Sequence, residues 1–165
     1  DAQLSRGLGD VYKRQEIGNN ILILKSRGVD SVKRVGEFIG IEGAIFVGEF
    51  NKEKDRNEVV KDLEEFVNQE AITELYGKEK IKNVAVVTGG GAIREILDQV
   101  VDAEIDMYIT GEIKEETPHY AKETKLNYVC GGHYATETCG VKALLKKIEE
   151  KFGLETEFID MPVKY

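Results

Sequence analysis

An α/β fold of three layers, α/β/α, with helices on both faces of a mostly parallel sheet, is what the sequence predicts, and three observations predict it. From Lys82 onward, short apolar runs alternate with helix-length amphipathic stretches, the rhythm of βαβ units with right-handed crossovers. Glycines stand where a strand would turn into a helix, at Gly89 to Gly91 and again at Gly131 and Gly132. No short-period repeat or low-complexity segment is present, which excludes solenoids and propellers.

The elements follow in order. Ile17, Ile21 and Leu24 recur at helical spacing over residues 16–25, and Gly28 ends that pattern. Residues 32–39 and 43–50 carry β-branched and aromatic side chains between glycines, which predicts a hairpin turning through Gly40 to Gly43. Over residues 56–69 the side chains of Val59, Val60, Leu63, Phe66 and Val67 share one helical face, with acids and lysines opposite. Strands are then expected at 82–87, 106–110, 126–130 and 157–161, and helices at 92–101, 115–124 and 134–151. Residues 1–15 show neither period and begin on Asp1, so they are expected to be a non-native leader to an incomplete copy. Residues 16–165 are expected to form one α/β domain.

The chain has 165 residues and a formal net charge of −8, with 41% hydrophobic and 33% charged residues, a composition that supports a folded core. No run of Lys or Arg is long enough to track a nucleic-acid backbone, which argues against nucleic-acid polymers. Apolar stretches fall far short of the roughly 18 residues that span a bilayer. A cytoplasmic location is the default expectation, with Cys130 and Cys139 as free thiols.

In an open parallel sheet, ligands gather beyond the carboxyl ends of the strands. Three loops belong there: 88–91, 110–112 and 131–137. His133 and Glu137 are four residues apart at the start of a helix, so imidazole and carboxylate share one face and can converge on a cation. The alternative is a helix-start histidine followed by a first-turn acid favoured by the helix dipole. Glu112 is either an exposed acid at a strand end or a carboxylate that orients a ligating histidine. His119 reads as a surface residue, and Cys139, without a nearby base, as packing. Gly89 to Gly91 have the strand-to-helix placement of a phosphate cradle but lack the spacing of either nucleotide-binding fingerprint.

The segment GGHYATETCGVKAL, from Gly131 to Leu144, resembles the hallmark of the dinuclear metal centre hexameric protein family (Nif-three-like), whose bacterial members are named GTP cyclohydrolase 1 type 2 homologues. The stretches EIGNN, VGEF, VAVVTGGG, DMYITGEI and EFIDMP are similar to further family segments in the same order, so the resemblance runs from about residue 16 to the end. It implies an α/β subunit assembled as a toroidal homohexamer, with two divalent metal ions per complete subunit. His133 matches the family's C-terminal metal-ligating histidine and Glu137 its ligating glutamate. The family's other ligands, a histidine pair and an aspartate ahead of the EIGNN segment, have no counterpart here, so this chain alone is expected to bind metal weakly or not at all. Two activities are then in view. One is a metal-dependent hydrolase of a nucleotide-like or phosphorylated small molecule, with this chain inactive alone. The other is a non-catalytic metal-binding scaffold that recruits partners.

Overall fold

The computed structural model describes residues 17–29 and 31–163; the leader expected over residues 1–15 lies outside the described residues. Its strands are β1 (Val32–Phe38), β2 (Ile41–Asp55), β3 (Ile72–Leu75), β4 (Lys80–Val87), β5 (Met107–Thr110) and β6 (Asn127–Cys130). Its helices are α1 (Asn19–Lys25), α2 (Arg56–Val67), α3 (Arg94–Asp102), α4 (Thr117–Thr124) and α5 (His133–Phe152).

One sheet runs in the order β1-β2-β4-β5-β6-β3. The α/β class is the expected one. The sheet, expected to be mostly parallel, is mixed: β4, β5 and β6 pair in parallel, while β1 with β2, β2 with β4 and β3 with β6 pair antiparallel. Parallel pairing occurs where α3 and α4 carry the chain across, and the hairpin and the short strand β3 supply the antiparallel flanks.

Alternate side chains of the central strands feed two cores. Val84, Val86, Met107, Ile109 and Val129 pack with Ile23 and Leu24 of α1 and Val59 and Leu63 of α2. Ala85, Tyr108 and Tyr128 point the other way, onto Ile96, Leu97 and Val100 of α3 and Tyr120 and Ala121 of α4. The strand period of two therefore sorts the chain into three layers.

Helix α1 is too short to persist on its own, and two buried amides hold it. Asn19 Oδ1 accepts from the Gly140 amide at 2.7 Å, and Asn20 Oδ1 accepts from the Thr88 amide at 2.8 Å. Buried amides are costly unless bonded; bonded, this pair fastens α1 to α5 and to the loop that leaves β4.

Two expectations are corrected. The hairpin turns through Ile39 and Gly40, both at positive φ (50° and 73°), rather than through Gly40 to Gly43. Paired positive φ values match the right-handed twist of the strands. The strand expected at 157–161 is absent: residues 153–163 have no regular structure and return along α5 as an extended arm. That arm is pinned by side chains instead of a strand ladder. Tyr134 Oη donates to Asp160 Oδ1 at 2.6 Å and accepts from the Met161 amide at 2.9 Å, and Thr156 Oγ1 donates to Glu149 Oε1 at 2.6 Å. Among the described residues no helix is long and apolar enough to cross a membrane.

Candidate metal site at the carboxyl edge of the sheet

The parallel register of β4, β5 and β6 aligns Val87 with Thr110 and Thr110 with Cys130, so the three loops that follow emerge side by side. Backbone bonds lace them together. The Gly111 amide donates to Gly89 O at 3.1 Å, and the Gly131 amide donates to Thr110 O at 2.8 Å. Beneath the loops, two buried tyrosines meet edge to face with ring centroids 5.7 Å apart. Tyr108 Oη donates to Gly91 O at 2.8 Å, and Tyr128 Oη donates to the backbone carbonyl of Glu112 at 2.5 Å. Burial pushes both phenols up, so each remains a protonated donor.

On this platform Glu112, His133 and Glu137 form a row. His133 Nδ1 lies 2.6 Å from Glu112 Oε1, and His133 Nε2 lies 3.5 Å from Glu137 Oε2. A carboxylate can only accept, so Nδ1 carries the proton in this pair, and in the neutral ring the Nε2 lone pair faces Glu137. Helical spacing brings His133 and Glu137 together, and the end of β5 brings Glu112. The half-buried carboxylate of Glu137 contrasts with the more exposed Glu112 and His133.

Glycines leave room for the row. A Cβ at Gly89, whose φ is +68°, would stand 2.3 Å from Glu137 Oε1 and 3.0 Å from His133 Nε2. A Cβ at Gly111 would meet the backbone of Gly89 and the Cα of His133, each at 2.8 Å. The Gly89 amide donates to Thr136 Oγ1 at 3.2 Å, and the Gly91 amide to Gly89 O at 2.9 Å. Two of the loop amides are therefore committed internally, and the glycines serve close approach instead of an anion cradle.

Does the row fit a divalent ion? Two donors about 2.1 Å from a tetrahedral ion lie about 3.4 Å apart, and His133 Nε2 and Glu137 Oε2 stand 3.5 Å apart. The donor types suit zinc, manganese or iron, and a carboxylate on the far ring nitrogen is the usual support of a ligating histidine. The pair fits one edge of a coordination sphere. Among the described residues no group of three or more His, Cys, Asp or Glu side chains is placed to hold an ion by itself.

Beside the row opens a cleft of about 1080 Å³ that reaches from Cys130 and Ile113 to the returning arm. Both cysteines are free. Burial raises the Cys130 thiol, which donates to Gly111 O at 3.3 Å. His119 lines a separate small hollow with Arg94, Glu116 and Tyr120, apart from the row. Tyr108, Tyr128, Thr136 and Asn20, which hold the loops, carry no signal of that role in the sequence, although Asn20, Tyr108 and Thr136 lie in the EIGNN, DMYITGEI and GGHYATETCGVKAL segments.

A mixed α/β sheet with these crossovers recurs in solved structures. One described as structural genomics protein ybgI of unknown function superposes with a TM-score of 0.76 at 32% identity, over 90% of this chain and 57% of that one. TTHA1606 from Thermus thermophilus gives 0.74 at 28% identity, over 93% and 59%. The chain belongs to the Duf34/NIF3 (NGG1p interacting factor 3) family, whose model matches residues 12–163. Relatives named GTP cyclohydrolase 1 type 2 homolog are 37% identical in Pyrococcus horikoshii (89% of this chain, 58% of that protein) and 33% identical in Archaeoglobus fulgidus (90% and 57%). The chain thus spans a little over half the length of these curated relatives.

Proposed function

We propose that the chain supplies part of a divalent-metal site, with His133 Nε2 and Glu137 as direct ligands and Glu112 holding the proton on Nδ1. The reaction we propose for the complete site is hydrolysis of a small molecule, of the nucleotide-like or phosphorylated class that the resemblance implies. The observation that carries the reading is the continuous row Glu112, His133, Glu137, set against a glycine whose missing Cβ leaves the space that an ion needs.

An ion held by His133 Nε2 and Glu137 would supply Lewis acidity and lower the pKa of water at the site. The residues of the chain do the rest. Glu112 fixes the tautomer and the ring orientation of His133. The Tyr128 hydroxyl holds the backbone of Glu112, and Ile113 and Cys130 form the wall of the adjoining cleft. Assembly as a homohexamer, implied by the resemblance, belongs to this reading; β1 and β3 end the sheet, each with one edge unpaired among the described residues.

Calorimetric titration of the whole chain with zinc or manganese tests the site. Weak binding that disappears in His133→Ala is expected, because two protein ligands leave most of the coordination sphere to water. Equal heats from the wild type and His133→Ala would exclude the row as a metal site.

A further inference from the structure

The cleft beside the row has a lining that the metal reading leaves unused. Its walls are apolar: Ile72 on β3, Val141 on α5, and Phe158, Ile159, Met161 and Val163 on the returning arm. Ile159 and Met161 are each 72% exposed and Ile72 is 54% exposed, so large apolar side chains face water on two sides of one trench. The arm is tethered through Asp160 to Tyr134, Thr156 to Glu149 and the Phe158 ring under Lys142 Nζ at 4.6 Å, which leaves Ile159, Met161 and Val163 exposed. Apolar surface gathered in this way gains free energy when a ligand covers it.

Charge narrows the ligand. The ionisable carboxylates that reach the cleft are Glu70, Glu112 and Glu137, and no lysine or arginine lines it among the described residues. A triphosphate entering here would bring several negative charges beside three carboxylates, with one divalent ion to offset them. An uncharged ring meets none of that repulsion and gains the full apolar contact. Ligand pockets in general pair apolar walls with a few polar groups at one end, which is the arrangement here.

We propose that this cleft takes a small molecule whose body is an uncharged aromatic or heteroaromatic ring carrying at most one oxyanion, directed at the His133 and Glu137 end, and that polyphosphates are rejected. Only the placement of the oxyanion rests on the metal reading; the ring and the rejection of polyphosphate rest on the lining.

The test uses the whole chain and naphthalene-2-carboxamide, an uncharged fluorescent ring without a chelating group. Saturable binding is expected, and an excess of GTP with magnesium should not displace it. The double variant Ile72→Thr with Val141→Ser, and separately Phe158→Ala, should each keep the wild-type circular dichroism spectrum. The double variant should lower affinity about tenfold, the loss expected for two aliphatic contacts. Absence of saturable binding, displacement by GTP, or unchanged affinity in a folded double variant would each overturn the proposal. So would loss of self-association by the double variant in sedimentation velocity without any naphthamide binding, since a second copy would then cover the surface. Zinc titration of His133→Ala is scored separately. Naphthamide binding without any His133-dependent zinc binding refutes the metal reading and leaves this inference standing.

Discussion

Replacing Gly89 by alanine tests whether the loop after β4 is glycine because of its backbone or because of what lies against it. Its φ of +68° is left-handed, and Gly28 at +78° offers a matched control, because a Cβ there meets nothing within 4 Å. An L-residue in this region costs about 1–2 kcal/mol, partly offset by about 0.4–1 kcal/mol from the stiffer unfolded chain. Gly28→Ala should therefore destabilise by about 1 kcal/mol. At Gly89 the new Cβ would stand 2.3 Å from Glu137 Oε1, where ordinary contact begins at 3.4 Å. The carboxylate must retreat by about 1 Å, but it is the far end of a flexible, partly exposed side chain, so the retreat adds little to the unfolding cost while moving Glu137 off the row. Urea unfolding followed by circular dichroism should place Gly89→Ala close to Gly28→Ala, each about 1 kcal/mol below the wild type. Zinc titration should show His133-dependent binding kept in Gly28→Ala and lost in Gly89→Ala. His133-dependent zinc binding that survives in Gly89→Ala would refute the close approach of Gly89 to the row.

Three further outcomes are expected. Glu112→Gln removes the carboxylate that holds the proton on His133 Nδ1, and should weaken zinc binding about 10- to 100-fold with little change in urea midpoint; undiminished affinity would remove Glu112 from the site. Burial alone would raise the carboxyl pKa of Asp106, but hydrogen bonds from Lys78 Nζ, the Asn83 amide and the Lys82 amide more than reverse it, leaving the folded value below the usual one. A depressed folded value means that stability is fully present above about pH 4 and is lost as pH falls through the folded pKa. Asp106→Asn should accordingly flatten the acid limb of the urea-midpoint profile, and parallel profiles would contradict this. Burial pushes the Cys139 thiol up to about 11 and raises Cys130 as well, so Ellman's reagent at pH 8 should react far more slowly with the folded chain than with the chain in urea. Similar rates would show that the thiols are open to solvent.

What was legible in the sequence is what periodicity and spacing can carry. The amphipathic run around Val59 and Leu63 is α2, and the alternation from Lys82 to Cys130 is the parallel centre with its two crossovers. The four-residue spacing of His133 and Glu137 lies at the start of a real helix, and their convergence to 3.5 Å follows from it. What sequence could not show depended on partners distant in the chain. Strand β3 is four residues long and becomes a strand only by pairing with β6. The charged end of β2, from Asn51 to Asp55, reads as loop, yet Lys54 and Asp55 pair with Ile81 and Lys80. The hairpin turn lies outside the Gly40 to Gly43 stretch because Ile39 takes a positive φ that β-branched residues ordinarily avoid. The arm failed as a strand because its apolar content is strand-like while no edge receives it. Tyr128 was invisible as a support for Glu112, since a buried tyrosine in a strand announces only packing.

The middle of the sheet also bears on how this sequence can diverge. Every residue of β5 and β6 is buried, because helices cover both faces, whereas no residue of β1 is fully buried and four of its seven are exposed. Drift in β1 is tolerated at its exposed positions except Gly36, where a Cβ would stand 2.6 Å from Gln99 Oε1; the apolar side chains of MYIT and NYVC can exchange only for others of similar volume. Three of those eight positions are closed even to that exchange: Tyr108 and Tyr128, whose hydroxyls hold Gly91 O and Glu112 O, and Asn127. Thr110 donates to Gly89 O at 3.3 Å, and Asn127 donates to the carbonyls of Asp106 and Lys78, each at 2.9 Å, while accepting from the Gly77 amide at 3.0 Å. An apolar replacement at Asn127 would take this partner from the buried Asp106 carbonyl and from the Gly77 amide, whereas at Thr110 the Gly89 carbonyl would still accept from the Gly91 and Gly111 amides. Asn127 thus ties the turn at Gly77 to Lys78 to the middle of the sheet across fifty residues of chain, and a change at one end alters what the other must satisfy.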